Sequence, residues 1–342
     1  MRVSIPLAKV ALRWGVRRLS IHHPRLLKRW LAGKPFPDVI LVELTNDCNQ
    51  SCPFCAREVM TRSVGYMESE TFRSIVDQAA AQPHALMRVV GLGEASMHPE
   101  FRECIAYASA KGLPIEITSN GKIFEVMSPA EILGSSIISL SISIDGFGDG
   151  SYEKLRPGGN YPQLRRHIES FYAAKRVSKS GMVFTLRNVL LDKTEEKKAQ
   201  QAARFRSEWA GLSDRVSFND YVTSRKMVRN ETSNRVCDDI MFNLHIEWDG
   251  STPLCTYQHL ICKQEDTGNV GEASIAQIWQ TGRRAEVRNA HLNRDLGAAE
   301  FCKSCPKTRA KAVYRNGSKH NTNASFAFNM AERLVWRAIA RK

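Results

Sequence analysis

From residue 38 onward the chain alternates between two periodicities. Short apolar, β-branched runs are separated by longer segments whose apolar residues recur three and four apart. The run DVILVELT at 38–45 predicts a strand, and 68–82 a helix. Residues 86–90 read as a short strand followed by GLGEASMHP, and 99–111 as a helix. A strand at 113–118 ends in Ser119-Asn120-Gly121, and a β-rich run at 137–144 ends in Asp145-Gly146. A helix at 162–177, a strand at 182–186, a long helix at 194–209 and a short strand beginning at 216–218 complete the series. Strands alternating with helices predict repeated βα units around a parallel sheet. About six units over 38–222 suit a partial or full βα barrel, in which functional residues occupy the loops after the strands.

From about residue 231 the pattern changes. Cysteines become frequent, and the turn signals Asp249-Gly250 and Gly268-Asn269 separate short segments. The expected organisation is an N-terminal segment at 1–37, a barrel at 38–230, a small domain at 231–306 and a tail at 307–342. A length of 342 residues, with 43% hydrophobic and 25% charged residues, accommodates two globular domains and excludes disordered, collagen-like and coiled-coil chains. No apolar run reaches the length of a membrane span.

Charge adds a further division. The net charge is +14, yet residues 1–37 and 307–342 together carry +17 and leave the body at −3. A near-neutral body argues against a nucleic-acid partner. Both basic ends intersperse apolar residues and Trp (Trp14, Trp30, Trp336) with cations at roughly helical spacing. That pattern fits an anionic membrane surface, and fits equally two helices packed on the barrel with solvated basic faces. Lys9 breaks the first apolar run, so no secretory signal is evident. The expected location is the cytoplasm, at the inner face of the membrane if the ends attach there.

Without export, the nine cysteines point to metal or redox roles rather than disulfides. Cys48, Cys52 and Cys55 form C-x3-C-x2-C directly after the first strand, and Cys302 and Cys305 form C-x2-C. Cys237 and Cys255 frame Gly250 as C-x12-G-x4-C. Three thiolates on one loop can hold three irons of a four-iron cluster and leave the fourth open. A structural zinc site wants four closed ligands, and the triplet has no nearby histidine or fourth thiol. Cys104, in the helix FRECIAYASA, is expected to be a buried, inert thiol.

The segment ELTNDCNQSCPFC, 43–55, resembles the signature of the radical S-adenosylmethionine (radical SAM) enzymes, and the resemblance covers about 38–305. It implies an α/β fold, a partial (βα)6 TIM-like barrel. It implies that Cys48, Cys52 and Cys55 bind a [4Fe-4S] cluster whose open iron chelates S-adenosyl-L-methionine. Reduction by a donor such as flavodoxin or ferredoxin would then yield a 5′-deoxyadenosyl radical that abstracts hydrogen from substrate. Phe54 matches the family's apolar position near the adenine. Gly91, Gly93 and Glu94 resemble the family's glycine-rich segment, whose glycines admit a close approach of backbone to the methionyl ammonium. The usual form has two adjacent glycines before the glutamate, whereas Leu92 and Gly93 stand here. Ser119 and Asn120 end a strand where relatives contact the cofactor, Ser143 resembles a serine reaching the ribose or carboxylate, and Arg156 resembles a family arginine. Each of these is also ordinary turn or capping chemistry.

The second cysteine set resembles the family's SPASM/twitch extension, a small C-terminal Fe-S cluster-binding domain. It implies one auxiliary [4Fe-4S] cluster on Cys237, Cys255, Cys302 and Cys305. Cys262 stands outside that count. It is a candidate hydrogen-atom donor to a substrate radical, a packing residue or a substitute ligand. The expected reaction is oxidation or epimerisation of a sugar-like, aminocyclitol or polyol substrate, as a small molecule or lipid-linked glycan. The alternative is modification of a peptide, and an electron carrier without catalysis is the non-enzymatic reading. Asp192, Asp220, Tyr221 and His245 are candidate bases.

Overall fold

A computed structural model describes residues 35–192, 194–220, 236–255 and 267–299, together with 302 and 305. The basic ends, apart from 35–37, and Tyr221 and Cys262 lie outside the described residues.

Seven strands form one sheet in the order β6-β5-β4-β3-β2-β1-β7, every neighbouring pair parallel. In chain order the strands are β1 (Val39–Val42), β2 (Leu86–Val89), β3 (Ile115–Ser119), β4 (Ile137–Ser143), β5 (Val183–Leu190), β6 (Arg215–Asp220) and β7 (Asn243–Ile246). Helices fill the crossovers: α1 (Ser69–Ala80), α2 (Phe101–Ala110), α3 (Ile123–Val126), α4 (Pro129–Gly134), α5 (Ser151–Leu155), α6 (Tyr161–Ser178) and α7 (Glu195–Glu208). α8 (Asp238–Phe242) leads into β7, and α9 (Ile275–Gln280) and α10 (Gly282–Asn293) follow it.

The helices form where the sequence supplies both a face and a cap. In α1, Phe72, Ile75, Val76 and Ala79 are the buried positions, spaced as one helical stripe. Ser128 and Glu131 cap each other's backbone at the start of α4, with a proline in the first turn. Asn160 and Thr194 cap α6 and α7 through their side-chain oxygens. β1 is buried on both faces, as a parallel strand covered by helices should be. One large core lies between sheet and helices, and a second surrounds Ile240, Phe242, Cys255, Val287 and Cys302.

Two features depart from the expected units. β5 runs on to Leu190 because its alternation continues through polar residues. Phe184, Leu186, Asn188 and Leu190 are buried while the residues between them are partly exposed. Asn188 tolerates burial because its amide donates to the Ile144 carbonyl at 2.8 Å. β7 comes from the cysteine-rich region and adds a seventh strand beside β1. Asn and His in NLHI mask it, and pairing with β1 supplies the burial that propensity does not.

Phe184 is fully buried and its ring lies 4.9 Å from that of Phe171. Phe184→Ala is expected to cost about 3–5 kcal/mol of stability, read as a lower urea midpoint of the cluster-free chain with an unchanged slope.

Candidate active site

The loop after β1 is shaped by side chains rather than by regular structure. Thr45 pairs with Tyr66 in an isolated antiparallel bridge, and the Thr45 hydroxyl donates to the Gly65 carbonyl at 2.7 Å. The Asn46 amide donates to the Ser63 carbonyl at 2.8 Å and its oxygen accepts from Gly65 N–H at 2.9 Å. Asp47 accepts from Cys48 N–H at 2.8 Å and from the Tyr66 hydroxyl at 2.7 Å, and the tyrosine bond holds its carboxyl below the usual range.

The three thiols sit in this framework. Cys52 is buried, and Cys48 and Cys55 are half-buried. Backbone N–H groups of Gln50 and Arg57 donate to the sulfurs of Cys48 and Cys55, both at 3.5 Å, and the Asn120 amide reaches the Cys48 sulfur at 3.7 Å. Burial pushes the Cys48 thiol up and the Cys52 thiol to about 11, and the neighbouring cysteines add to the rise. Among the described residues no three His, Cys, Asp or Glu side chains converge on a single ion. Three thiols on one loop, two of them with N–H donors at their sulfurs, fit a cluster that takes one thiolate per iron, and not a closed zinc site.

The turn after β2 presses against the same loop. A Cβ at Gly93 would collide with the carbonyls of Asp47 and Thr45, so only glycine admits this approach. Glu94 N–H donates to the Asp47 carbonyl at 2.8 Å. A Cβ at Gly91 would meet the Glu43 side chain, whose carboxylate accepts from Leu92 N–H at 3.0 Å. Glu94 is buried. Its carboxylate accepts from the hydroxyls of Ser96 at 2.6 Å and Ser119 at 2.9 Å, and from Asn120 N–H at 2.6 Å. Burial pushes this carboxyl up, and no described cation pairs with it. Glu94, Ser119, Asn120 and Cys48 therefore form one connected group.

Arg156 lies beneath the loop. Its guanidinium donates to Asp145 at 2.5 and 2.9 Å and to the Gln50 side-chain oxygen at 3.1 Å. Asp145 also accepts from Val189 N–H at 2.6 Å. Gly158, at φ +91°, abuts the Asn49 carbonyl where a Cβ would not fit. Ser143, at the end of β4, is partly buried, and its hydroxyl has no hydrogen-bond partner among the described residues. Phe54 is half-buried in the loop.

A third contact was invisible in the sequence. Arg62 donates to Glu43 at 2.9 and 3.2 Å and pairs with Glu247 at 3.0 Å, tying the cysteine loop to β1 and to the residue after β7. Burial and the Glu43 charge push the Glu247 carboxyl to about 7 against the pull of Arg62. Such a pairing across the chain has no local signal. A charged residue at the end of an apolar strand run, as in Glu43, is the nearest hint.

Of the second set, Cys255 and Cys302 belong to the second core, Cys237 packs against it, and Cys305 is buried with its N–H donating to the Cys302 carbonyl at 3.3 Å. Among the candidate bases, His245 is buried on β7. Asp192 accepts from Thr194 N–H at 3.3 Å ahead of α7. Asp220 ends β6, and its side chain is outside the described residues. Cys104 is buried and its thiol is pushed up to about 12, as an inert thiol requires. No described helix is long and apolar enough to cross a membrane.

Comparison with known proteins agrees with this architecture. The Radical SAM superfamily model matches residues 42–199, and that of the SPASM iron-sulfur cluster-binding domain matches 237–306. These two domains imply [4Fe-4S] clusters and S-adenosylmethionine. Mycofactocin maturase MftC of Mycobacterium ulcerans is 26% identical over 167 residues, 48% of this chain and 45% of that protein. Sporulation killing factor maturation protein SkfB of Bacillus subtilis is 32% identical over 117 residues, 34% of this chain and 28% of that one. The matches thus span less than half the length of these curated relatives. Streptococcus suis SuiB bound to precursor peptide SuiA shares the fold at a TM-score of 0.59 and 12% identity, covering 76% of this chain and 69% of its own.

Two outcomes follow from the geometry. Arg156→Met leaves Asp145 buried and unpaired, which should cost about 3–5 kcal/mol. The cost is measurable by urea denaturation of the cluster-free chain, with reduced iron loading on reconstitution. Glu247 ionises near 7 when folded, but near about 4.3 unfolded. The folded chain binds the extra proton in that window, so stability falls as pH rises through it. Glu247→Gln should flatten the difference in melting temperature between pH 5 and pH 8.

Proposed function

The chain belongs to the radical SAM superfamily and carries its SPASM cluster-binding domain, and from that premise we propose that it matures a peptide by abstracting a hydrogen atom from it. The observation that carries this reading is the match to curated maturases, MftC and SkfB. The fold shared with a protein captured on its precursor peptide is consistent with it. A peptide therefore displaces the sugar-like, aminocyclitol or polyol substrate as the leading class, with oxidation or epimerisation at a C–H bond retained as the outcome.

When bound, the cluster and S-adenosylmethionine supply reductive sulfonium cleavage and hydrogen-atom abstraction. Cys48, Cys52 and Cys55 would hold that cluster, with N–H donors from Gln50 and Asn120 at the Cys48 sulfur and from Arg57 at the Cys55 sulfur. The buried Glu94 carboxylate, oriented by Ser119 and Asn120, would receive the methionyl ammonium. Gly91 and Gly93 let the turn close on the loop, and Ser143 and Phe54 would contribute a hydroxyl and an apolar ring to binding S-adenosylmethionine. Arg156 acts by positioning, since its bonds go to Asp145 and Gln50. Cys237, Cys255, Cys302 and Cys305 would hold a second cluster, which would supply an electron acceptor. An external donor such as flavodoxin or ferredoxin supplies the reducing electron.

The test is anaerobic turnover of the reconstituted, reduced chain with two panels: short precursor peptides encoded beside its gene, and aminocyclitols and other polyols. 5′-Deoxyadenosine formed only with a peptide, alongside a peptide product lacking two hydrogens or inverted at one centre, is the expected result. Stimulation by a polyol and by no peptide would overturn the reading. Glu94→Gln should raise the apparent KM for S-adenosylmethionine by about tenfold or more, since a charge-assisted bond contributes roughly 1.5–3 kcal/mol.

A further inference from the structure

We propose that the fully buried Arg284, with the half-buried Arg288 one turn further on, offsets the negative charge of the cluster on Cys237, Cys255, Cys302 and Cys305 and raises its reduction potential. This rests on the assignment of those four cysteines as ligands.

Arg284 projects from the first turn of α10 and has 0% exposure. Its guanidinium donates to the carbonyls of Pro253 at 2.7 Å, Thr252 at 3.4 Å, and Leu254 and Asn243 at 3.5 Å. Three of these acceptors are the residues immediately before Cys255, so the cation sits against the backbone that presents that thiol. All four are neutral. Arg288 follows one turn later, donates to the Trp279 carbonyl, and lies 4.2 Å from the Trp279 ring.

Among the described residues no carboxylate lies within ion-pair range of either arginine. Asp239 acts on Arg284 only at longer range, and it accepts from the Asn243 amide at 2.7 Å. The Arg284 Nε and an Arg288 Nη are buried with no hydrogen-bond partner. Burial and the neighbouring Arg288 push Arg284 down to about 9, and Cys255 is the first group opposing the fall.

Burying one guanidinium without a counter-charge is strongly unfavourable, and the half-buried guanidinium of Arg288 nearby adds to the cost. A four-iron core in its oxidised form, counted with four thiolates, carries two net negative charges. Two guanidiniums match that charge in a low-dielectric core. Reduction adds another negative charge beside them, so the pair favours the reduced form. Local charge and hydrogen bonding are known controls of cluster potential.

The test is an EPR-monitored redox titration of the reconstituted full chain. It is run with and without Cys48, Cys52 and Cys55→Ala, so that the second cluster is read alone. Arg284→Gln should shift its midpoint to more negative potential or lower its iron content, while Arg284→Lys retains both. Cluster loading should raise the melting temperature more in the parent than in Arg284→Gln, which separates the charge effect from the lost carbonyl bonds. An unchanged midpoint at full iron in Arg284→Gln would overturn the inference. So would equal loss in the Gln and Lys variants. If the parent holds about four irons instead of about eight, the ligand assignment itself fails, a result separate from either.

Discussion

Arg156 and Asp145 meet where water does not reach, their side chains 8% and 1% exposed. Neither charge would be tolerable there alone. Their pairing joins the end of β4 to the loop that carries the three thiols, through Gln50, and to β5, through Val189 N–H. The loop has little regular structure to hold it, so its position is borrowed from this pair and from the glycine contacts above and below it. Gly93 lets the turn after β2 close from one side, and Gly158 lets the segment after α5 close from the other. The sheet thus fixes the site by compressing an irregular loop between strand ends.

Electrostatic imbalance marks both halves of the molecule, with opposite sign. Around the first three thiols, Glu94 is buried with hydroxyl and N–H donors but no cation among the described residues. Near the other four, Arg284 is buried among carbonyls with no anion in ion-pair range among the described residues. Buried charges without partners are costly, and each lies where the cofactors of this family would complete the balance. Arg62, paired with both Glu43 and Glu247, ties the cysteine loop to the ends of β1 and β7.

The inner face of the sheet is more polar than its helix-covered face. Arg88 pairs with Glu116 across β2 and β3, and Arg187 on β5 reaches the Thr118 hydroxyl at 3.4 Å. Burial and the nearby Arg88 lower the Arg187 pKa.

The six alternating units, the C-x3-C-x2-C triplet and the second cysteine set were legible in the sequence because each rests on local spacing. Period-two and helical stripes reflect burial of one face, and ligand spacing reflects the reach of a single loop. Ser119, Asn120 and Glu94 were legible as strand-end residues, but their mutual bonding was not. β7 was hidden because NLHI draws its burial from β1, and β5 was read short because Arg187 and Asn188 carry polarity that the tertiary environment satisfies. The roles of Arg156, Arg62 and Arg284 were decided by tertiary structure alone. A charged residue has no sequence signature for burial, since what makes burial tolerable is a partner or a row of carbonyls brought from elsewhere in the chain.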